Sequence, residues 1–91
     1  MKTYKINDKE YELVENYKNG FEIEAVTEKM TDYFDSFDYV VGDWSYGKLR
    51  LKGFLDENNK NVKELNNYKF LKKYIKEDCA YDARWFSIKK L

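Results

Sequence analysis

Apolar and polar positions trade places with two different periods along this 91-residue chain. From Thr3 to Asn7, Tyr4 and Ile6 alternate with polar residues. Asn7-Asp8-Lys9 then reads as a turn, and Tyr11 to Tyr17 alternates again through Leu13 and Glu15. A period of two sends successive side chains to opposite faces, so the stretch predicts a β-hairpin. Asn19-Gly20 breaks the pattern. From Phe21 to about Asp35, Ile23, Val26, Met30, Tyr33 and Phe34 recur at spacings of three and four. That spacing gathers them on one face of an amphipathic helix.

Tyr39 to Trp44 and Lys48 to Phe54 predict two more strands, with Ser45-Tyr46-Gly47 near their turn. The run DENNKN, Asp56 to Asn61, is polar enough to form a solvated, mobile loop. A second helix is expected from Glu64 or Asn67 to Glu77. Tyr68, Leu71, Ile75 and Cys79 form its inner stripe, widened by Phe70 and Tyr74. Arg84 to Lys90 closes the chain as a strand, Phe86 and Ile88 on one face, Trp85, Ser87 and Lys89 on the other. The order β-β-α-β-β-α-β predicts an α+β fold: one domain over residues 1–91, a mainly antiparallel sheet with both helices packed on one face.

Composition changes this picture in one respect. A chain this short buries only about 60% of its unfolded surface. With 43% hydrophobic and 19% aromatic residues, nine of them Tyr, its core must lean on large rings. Several classes of chemistry drop out. There is no His and one Cys, which removes the usual zinc and haem ligand sets, any His-based triad and any internal disulfide. Cys79 is expected as a buried helix-end residue in a reducing compartment, since no imidazole is present to activate it. No apolar run approaches the length of a membrane span and no leader pattern is visible, so a cytoplasmic protein without cofactor is expected. The glycines form neither a phosphate-binding loop nor a dinucleotide fingerprint.

Net charge is zero, but the halves differ. Residues 1–44 carry five Lys against eleven Asp and Glu, and residues 45–91 carry twelve Lys and Arg against six. Helix one bears Glu24, Glu28, Asp32 and Asp35 on its outer side. Helix two bears Lys69, Lys72, Lys73 and Lys76 as a basic ridge. The ridge admits two readings: a phosphate-contacting flank for nucleic acid, or a solvated helix face set beside the acidic helix. A pI near 6.3 weighs against a dedicated nucleic-acid binder.

The fourth strand repeats the choice. Lys48, Arg50 and Lys52 alternate with Leu49 and Leu51, so the pleat sends three cations to one face and two leucines to the other. That row can grip an acidic partner or a phosphodiester backbone. It can equally be the solvated side of a two-layer fold, neutralised across strands by Glu12 or Asp43. In the turn before it, Gly42 permits close approach of a neighbour and Gly47 supplies a positive φ. Asp43 and Trp44 place a carboxylate beside an amphipathic ring. Asp43 as general base with Lys48 or Arg50 as electrophile is a third reading, but no second acid or nucleophile stands at a recognisable spacing.

Three segments carry a resemblance. Tyr11-Glu12-Leu13-Val14-Glu15-Asn16-Tyr17, Gly20-Phe21, and above all DYVVGDWSYGKLRLKGF from Asp38 to Phe54 resemble the YutD-like family of small proteins from Gram-positive bacteria. The tail, Cys79 and then Trp85-Phe86-Ser87-Ile88, resembles the family's closing strand more loosely, and no role is carried onto Asp82 or Arg84. The resemblance implies a small cytoplasmic α+β domain. It hands down no active site.

Two function classes follow. One is a non-enzymatic binding module that meets RNA or an acidic protein through Asp43, Trp44, Tyr46, Lys48, Arg50, Lys52 and Trp85. The other is a protein-interaction domain, a monomer or weak homodimer, working through its acidic and basic helix faces or an exposed strand edge. Neither involves a membrane or a metal. Convergence of Asp43, Trp44, Tyr46, Arg50 and Trp85 on one pocket would point to a small ligand; scatter with buried rings would make them scaffold.

Overall fold

The computed structural model describes residues 2–78 and 82–91. Five strands form one antiparallel sheet: β1 (Thr3–Ile6), β2 (Lys9–Tyr17), β3 (Tyr39–Ser45), β4 (Lys48–Phe54) and β5 (Trp85–Lys90). Their spatial order is β1-β2-β5-β3-β4. The chain thus lays down two hairpins and later slides β5 between them, antiparallel to β2 and to β3. This central strand is buried on both sides, Trp85 to Ile88 without a break. Phe86 and Ile88 face one way, Trp85 and Ser87 the other, as alternation predicts.

Hairpin turns set the register. Asn7 and Asp8 both have positive φ (50° and 69°), as do Tyr46 and Gly47 (52° and 75°). Two consecutive left-handed residues make the two-residue loop whose twist suits adjoining strands. Ser45 therefore faces Lys48, and counting back places Asp43 opposite Arg50. The alternation of β2 is interrupted once. Leu13 pairs with Ile88 and Glu15 with the next residue, Ser87, so Val14 is the extra residue of a bulge.

The first helix is shorter than its apolar spacing suggests. α1 covers Ile23–Lys29, and a separate 3₁₀ turn covers Asp32–Ser36. Met30 and Thr31 between them are extended, and the Met30 carbonyl accepts a bond from Asn7 Nδ2 at 2.9 Å. The break lets Val26, Met30 and Phe34 all reach the sheet while Tyr33 and Ile23 stay exposed. A seven-residue helix has little stability of its own, so packing decides where it stops.

The second helical region also departs from the simple reading. α2 covers Leu71–Asp78, preceded by 3₁₀ turns at Glu64–Asn66 and Tyr68–Phe70. Leu55 explains the delay, because its N–H donates to the Asn66 carbonyl and its carbonyl accepts from Tyr68 N–H. Those bonds hold the segment extended at Asn67. The polar loop before it is tied down at Asp38, whose carboxylate accepts from Asp56 N–H and Asn59 Nδ2. Cys79, expected at the helix end, lies outside the described residues.

The largest correction concerns layers: the helices pack on opposite faces of the sheet, not on one. Under α1 and its 3₁₀ turn lie Ile6, Tyr11, Val26, Met30, Phe34, Val40, Leu49, Phe86 and Ile88. Under α2 lie Val41, Phe54, Leu71 and Trp85, with Tyr39, Tyr68, Tyr74 and Ile75 around them. Neighbouring Val40 and Val41 belong to different cores, so β3 is covered twice. Trp85 and Phe54 need burial as much as Phe86 does, and a helix on one side alone would leave them wet. The acidic helix and the basic helix consequently sit across the sheet from one another and do not cancel side by side.

Candidate binding face

Three rows of side chains cross the α2 side of the sheet. The first runs Tyr17, Trp85, Asp43, Arg50 over β2, β5, β3 and β4. Asp43 is 1% exposed, and its Oδ2 accepts from Arg50 Nη2 at 2.8 Å. The same nitrogen donates to the Asp78 carbonyl at 3.2 Å, in the last turn of α2. Arg50 is therefore a clamp: one guanidinium compensates a buried carboxylate and meets the negative end of a helix. This geometry leaves Asp43 without access to a substrate. Its chemistry here is structural.

Trp85 carries the ring of Tyr17 at 6.2 Å and the Lys72 ammonium at 4.7 Å. Lys72 also pairs with Glu15 at 2.6 Å. Tyr17 Oη donates to Asp82 at 2.6 Å, and Lys18 bonds the other oxygen of that carboxylate. These two donors, Lys18 first, hold the Asp82 carboxyl below its ordinary value. In the second row Ser87 is hydrogen-bonded to Tyr68 Oη at 3.0 Å. Burial raises the Tyr68 phenol above its ordinary value, opposed by that bond. Its ring stacks on Tyr39 at 3.6 Å, nearly parallel. Lys52 lies 5.4 Å over Phe54 and 5.1 Å over Tyr74, a cation on two ring faces.

Trp44 points the other way. Its Nε1 donates to the Gly20 carbonyl at 2.7 Å, and the Arg84 guanidinium covers its ring at 4.4 Å. Arg84 is itself held by Glu22 at 2.8 Å. Gly42 belongs to the same side: a Cβ there would sit 2.3 Å from the Phe86 ring, so the glycine makes room for a core aromatic and not for a ligand.

The candidates thus separate into three places. Asp43, Arg50, Lys52 and Trp85 share the α2 side, Trp44 packs on the α1 side, and Tyr46 and Lys48 stand exposed at the hairpin tip. The basic ridge divides too. Lys72 reaches β2, Lys69 lies 4.0 Å from Glu57, and Lys73 turns toward β4. No ion pair among the described residues engages Lys48, Lys73 or Lys76. Among the described residues no three His, Cys, Asp or Glu side chains gather as a metal site, and no helix is long and apolar enough to cross a membrane.

The model of the family described as "Putative antitoxin YutD-like" matches residues 5–89. The chain belongs to the YutD-like family. It is 41% identical over 86 residues to the Bacillus subtilis protein named "Putative antitoxin YutD", covering 94% of both chains. Its fold matches the solution NMR structure of protein yutD from B. subtilis with a TM-score of 0.81 and 38% identity, over 100% of this chain and 83% of that one. The YutD-like stretch Asp38 to Phe54 thereby acquires a physical meaning: it is the β3–β4 hairpin, with its glycine under Phe86 and its Asp43–Arg50 clamp. Sequence reading missed Arg84 and Gly20 as the partners of Trp44. No local signal marks them, since they reach that ring from two distant segments of this YutD-like fold.

Proposed function

We propose that this chain is a non-enzymatic protein-binding module, an antitoxin-type member of its family acting in the cytoplasm, that meets an acidic surface of a partner protein through the β3–β4 hairpin. The observation that carries the reading is Tyr46. It is fully exposed at the tip, with a φ of 52°. A bulky residue there is held in a left-handed conformation that Gly or Asn adopts more easily. A solvated tyrosine gains nothing for the fold at that position, whereas an aromatic tip with rigid, amphipathic area is well suited to contact another protein. Lys48 beside it and Lys52 further along supply charge complementary to an acidic patch, which speeds encounter and fixes orientation. The name of the B. subtilis relative fits a protein that works by holding another.

RNA is the weaker partner on chemical grounds. Stacking of bases needs free ring faces, and both tryptophans are engaged, Trp85 by Tyr17 and Lys72, Trp44 by Arg84. Photo-crosslinking decides the matter. A benzoyl-phenylalanine at position 46, with position 60 as control, is expected to capture one protein in cells of the source organism. That protein, purified, should lose affinity for the Lys48→Glu, Lys52→Glu double variant. Absence of an adduct above the control, or affinity indifferent to the double change, overturns the reading. So does salt-dependent binding of oligo-uridine that the double change abolishes.

A further inference from the structure

Between the β1–β2 turn and the 3₁₀ turn after α1 lies a polar cleft of about 250 Å³. β2 and β3 run the same way, both antiparallel to β5, so this cleft is at the end of the sheet opposite the Tyr46 tip. Asn7 Nδ2 fastens one wall to the other through the Met30 carbonyl. Three carboxylates line the cleft: Asp8 from the turn, Asp32 and Asp35 from the 3₁₀ segment. The cation of the lining is Lys9, 3.8 Å from Asp35 in a half-exposed pair that solvent screens. The Lys90 ammonium next to them is bound to the Asp35 carbonyl. No ion pair among the described residues engages Asp8 or Asp32.

Its floor holds a group that the fold does not use. Tyr11 is 1% exposed and belongs to the same core as Ile6, Met30 and Phe34. Its hydroxyl has no hydrogen-bond partner among the described residues, yet no buried side-chain oxygen or nitrogen among them goes unpaired. The hydroxyl is therefore the part of Tyr11 that opens into the cleft. Burial, and after it the Asp35 carboxylate, raises the phenol above its ordinary value. It stays neutral, able to accept a bond from a cation. A phenylalanine would fill the core as well, and a polar tip left unpartnered on an almost wholly buried residue calls for an explanation.

The acceptors select the ligand. Three carboxylates and a phenol oxygen call for a cation, and among the described residues no three acidic groups gather closely enough to hold a metal ion. Acceptors spread around a cleft suit a flat cation with donors on several edges, which is the guanidinium. An ammonium is a compact point charge and reaches fewer of them at once. We propose that this cleft binds one alkylguanidinium group, held by the Tyr11 hydroxyl at the floor and by Asp8, Asp32 and Asp35 around it. An arginine side chain of another protein and a free guanidino compound present that same group. The site goes beyond the β3–β4 hairpin and does not depend on it.

The test titrates the intact ¹⁵N-labelled chain at constant ionic strength with butylguanidinium, butylammonium, the neutral isostere butylurea, and the peptide acetyl-Gly-Arg-Gly-amide. Butylguanidinium is expected to shift the amides of Asp8, Tyr11, Thr31 and Asp35 saturably. Butylurea should bind at least on the order of tenfold more weakly, and butylammonium between the two. Tyr11→Phe should weaken butylguanidinium by about tenfold, the order expected for one hydrogen bond to a charged group. It should leave Tm unchanged, because that hydroxyl supports nothing in the fold, and Asp32→Asn should weaken binding in the same way. Butylurea binding as well as butylguanidinium, shifts centred elsewhere, or affinity indifferent to Tyr11→Phe each overturns the assignment. Tighter binding of the peptide than of butylguanidinium supports the site with a protein's arginine as its source, and the reverse order supports it with a free guanidino compound. The crosslink at position 46 reads a different end of the molecule, so either result can fail without the other.

Discussion

The two faces of the sheet are built from different materials. Under α1 the core is dry: Ile6, Val26, Val40, Phe86 and Ile88 meet with no more than 1% exposure, and Gly42 gives up its side chain to admit the Phe86 ring. Under α2 the core of Val41, Phe54, Leu71 and Trp85 is ringed by tyrosine hydroxyls, ammonium groups over rings and the Asp43–Arg50 pair, buried at its carboxylate end. A close-packed apolar side gives nearly all its energy to burial and punishes any change of volume. A side of long polar-tipped groups can rearrange around a change, and it presents charge to the outside. The first face holds the fold. The second holds the groups that the proposed partner contact would draw on.

The contrast is sharpest in a pair of neighbours. Phe86→Ala should cost about 3–5 kcal/mol, since the cavity left against Gly42 cannot collapse, whereas Trp85→Ala should cost less because Tyr17 and Lys72 can close over the gap. Urea unfolding of both variants measures this, and equal losses would break the distinction between the faces. Gly42→Ala should also destabilise, by about 1–3 kcal/mol, through overpacking against the same ring. In the double variant with Phe86→Ala the two losses should fail to add.

Next in size is the clamp. Asp43→Asn leaves Arg50 facing a neutral group and should cost about 1–3 kcal/mol, reduced at the open end because the Arg50 side chain is half-exposed. A cycle with Arg50→Met should recover part of the loss, and additive losses would show that the pair does not act as a unit. Tyr46→Asn reverses the sign. Relief of the left-handed tyrosine should stabilise the chain by about 0.4–1 kcal/mol, while partner affinity falls. A variant that loses stability, or keeps full affinity, would remove Tyr46 from the contact.

The smallest effect lies at low pH. The Asp82 carboxyl sits below its ordinary value in the folded chain, chiefly through its bond from Lys18, then through Tyr17. A lowered folded value means stabilisation that is complete above the ordinary carboxylate range and fades as pH falls through the lowered value. Asp82→Asn should therefore flatten the acid limb of the stability curve and leave the neutral limb parallel to wild type. An unchanged acid limb would show that the contacts on the α2 side carry no weight there.

Much of the fold was legible from alternation. The order of elements and the two sides of β5 follow from periodicity, whereas the partner of Asp43 depends on a register that the structure fixes through the Tyr46-Gly47 turn. The same alternation separates Asp43 from Trp44, although adjacency in the sequence suggests one surface. What could not be read is the side each helix takes, because an amphipathic stripe states that it must be covered and not by which face. The Arg50 contact with the Asp78 carbonyl depends on that choice. For this reason Arg50, one of three apparently equivalent outward cations, turns out to be a fixture between Lys48 and Lys52. Changing all three together would confuse stability with recognition.

The position of β5 has a consequence for how the chain is made. The middle of the sheet is synthesised after both of its neighbours, and β2 and β3 cannot be bridged until Trp85 to Lys90 has left the ribosome. Until then the inner edges of β2 and β3 lack their native partner, and open strand edges are prone to wrong pairing. Closure joins residues far apart in sequence, which slows folding. The hairpin proposed to meet the partner is thus complete in sequence well before it is held in place, and binding competence arrives with the last strand.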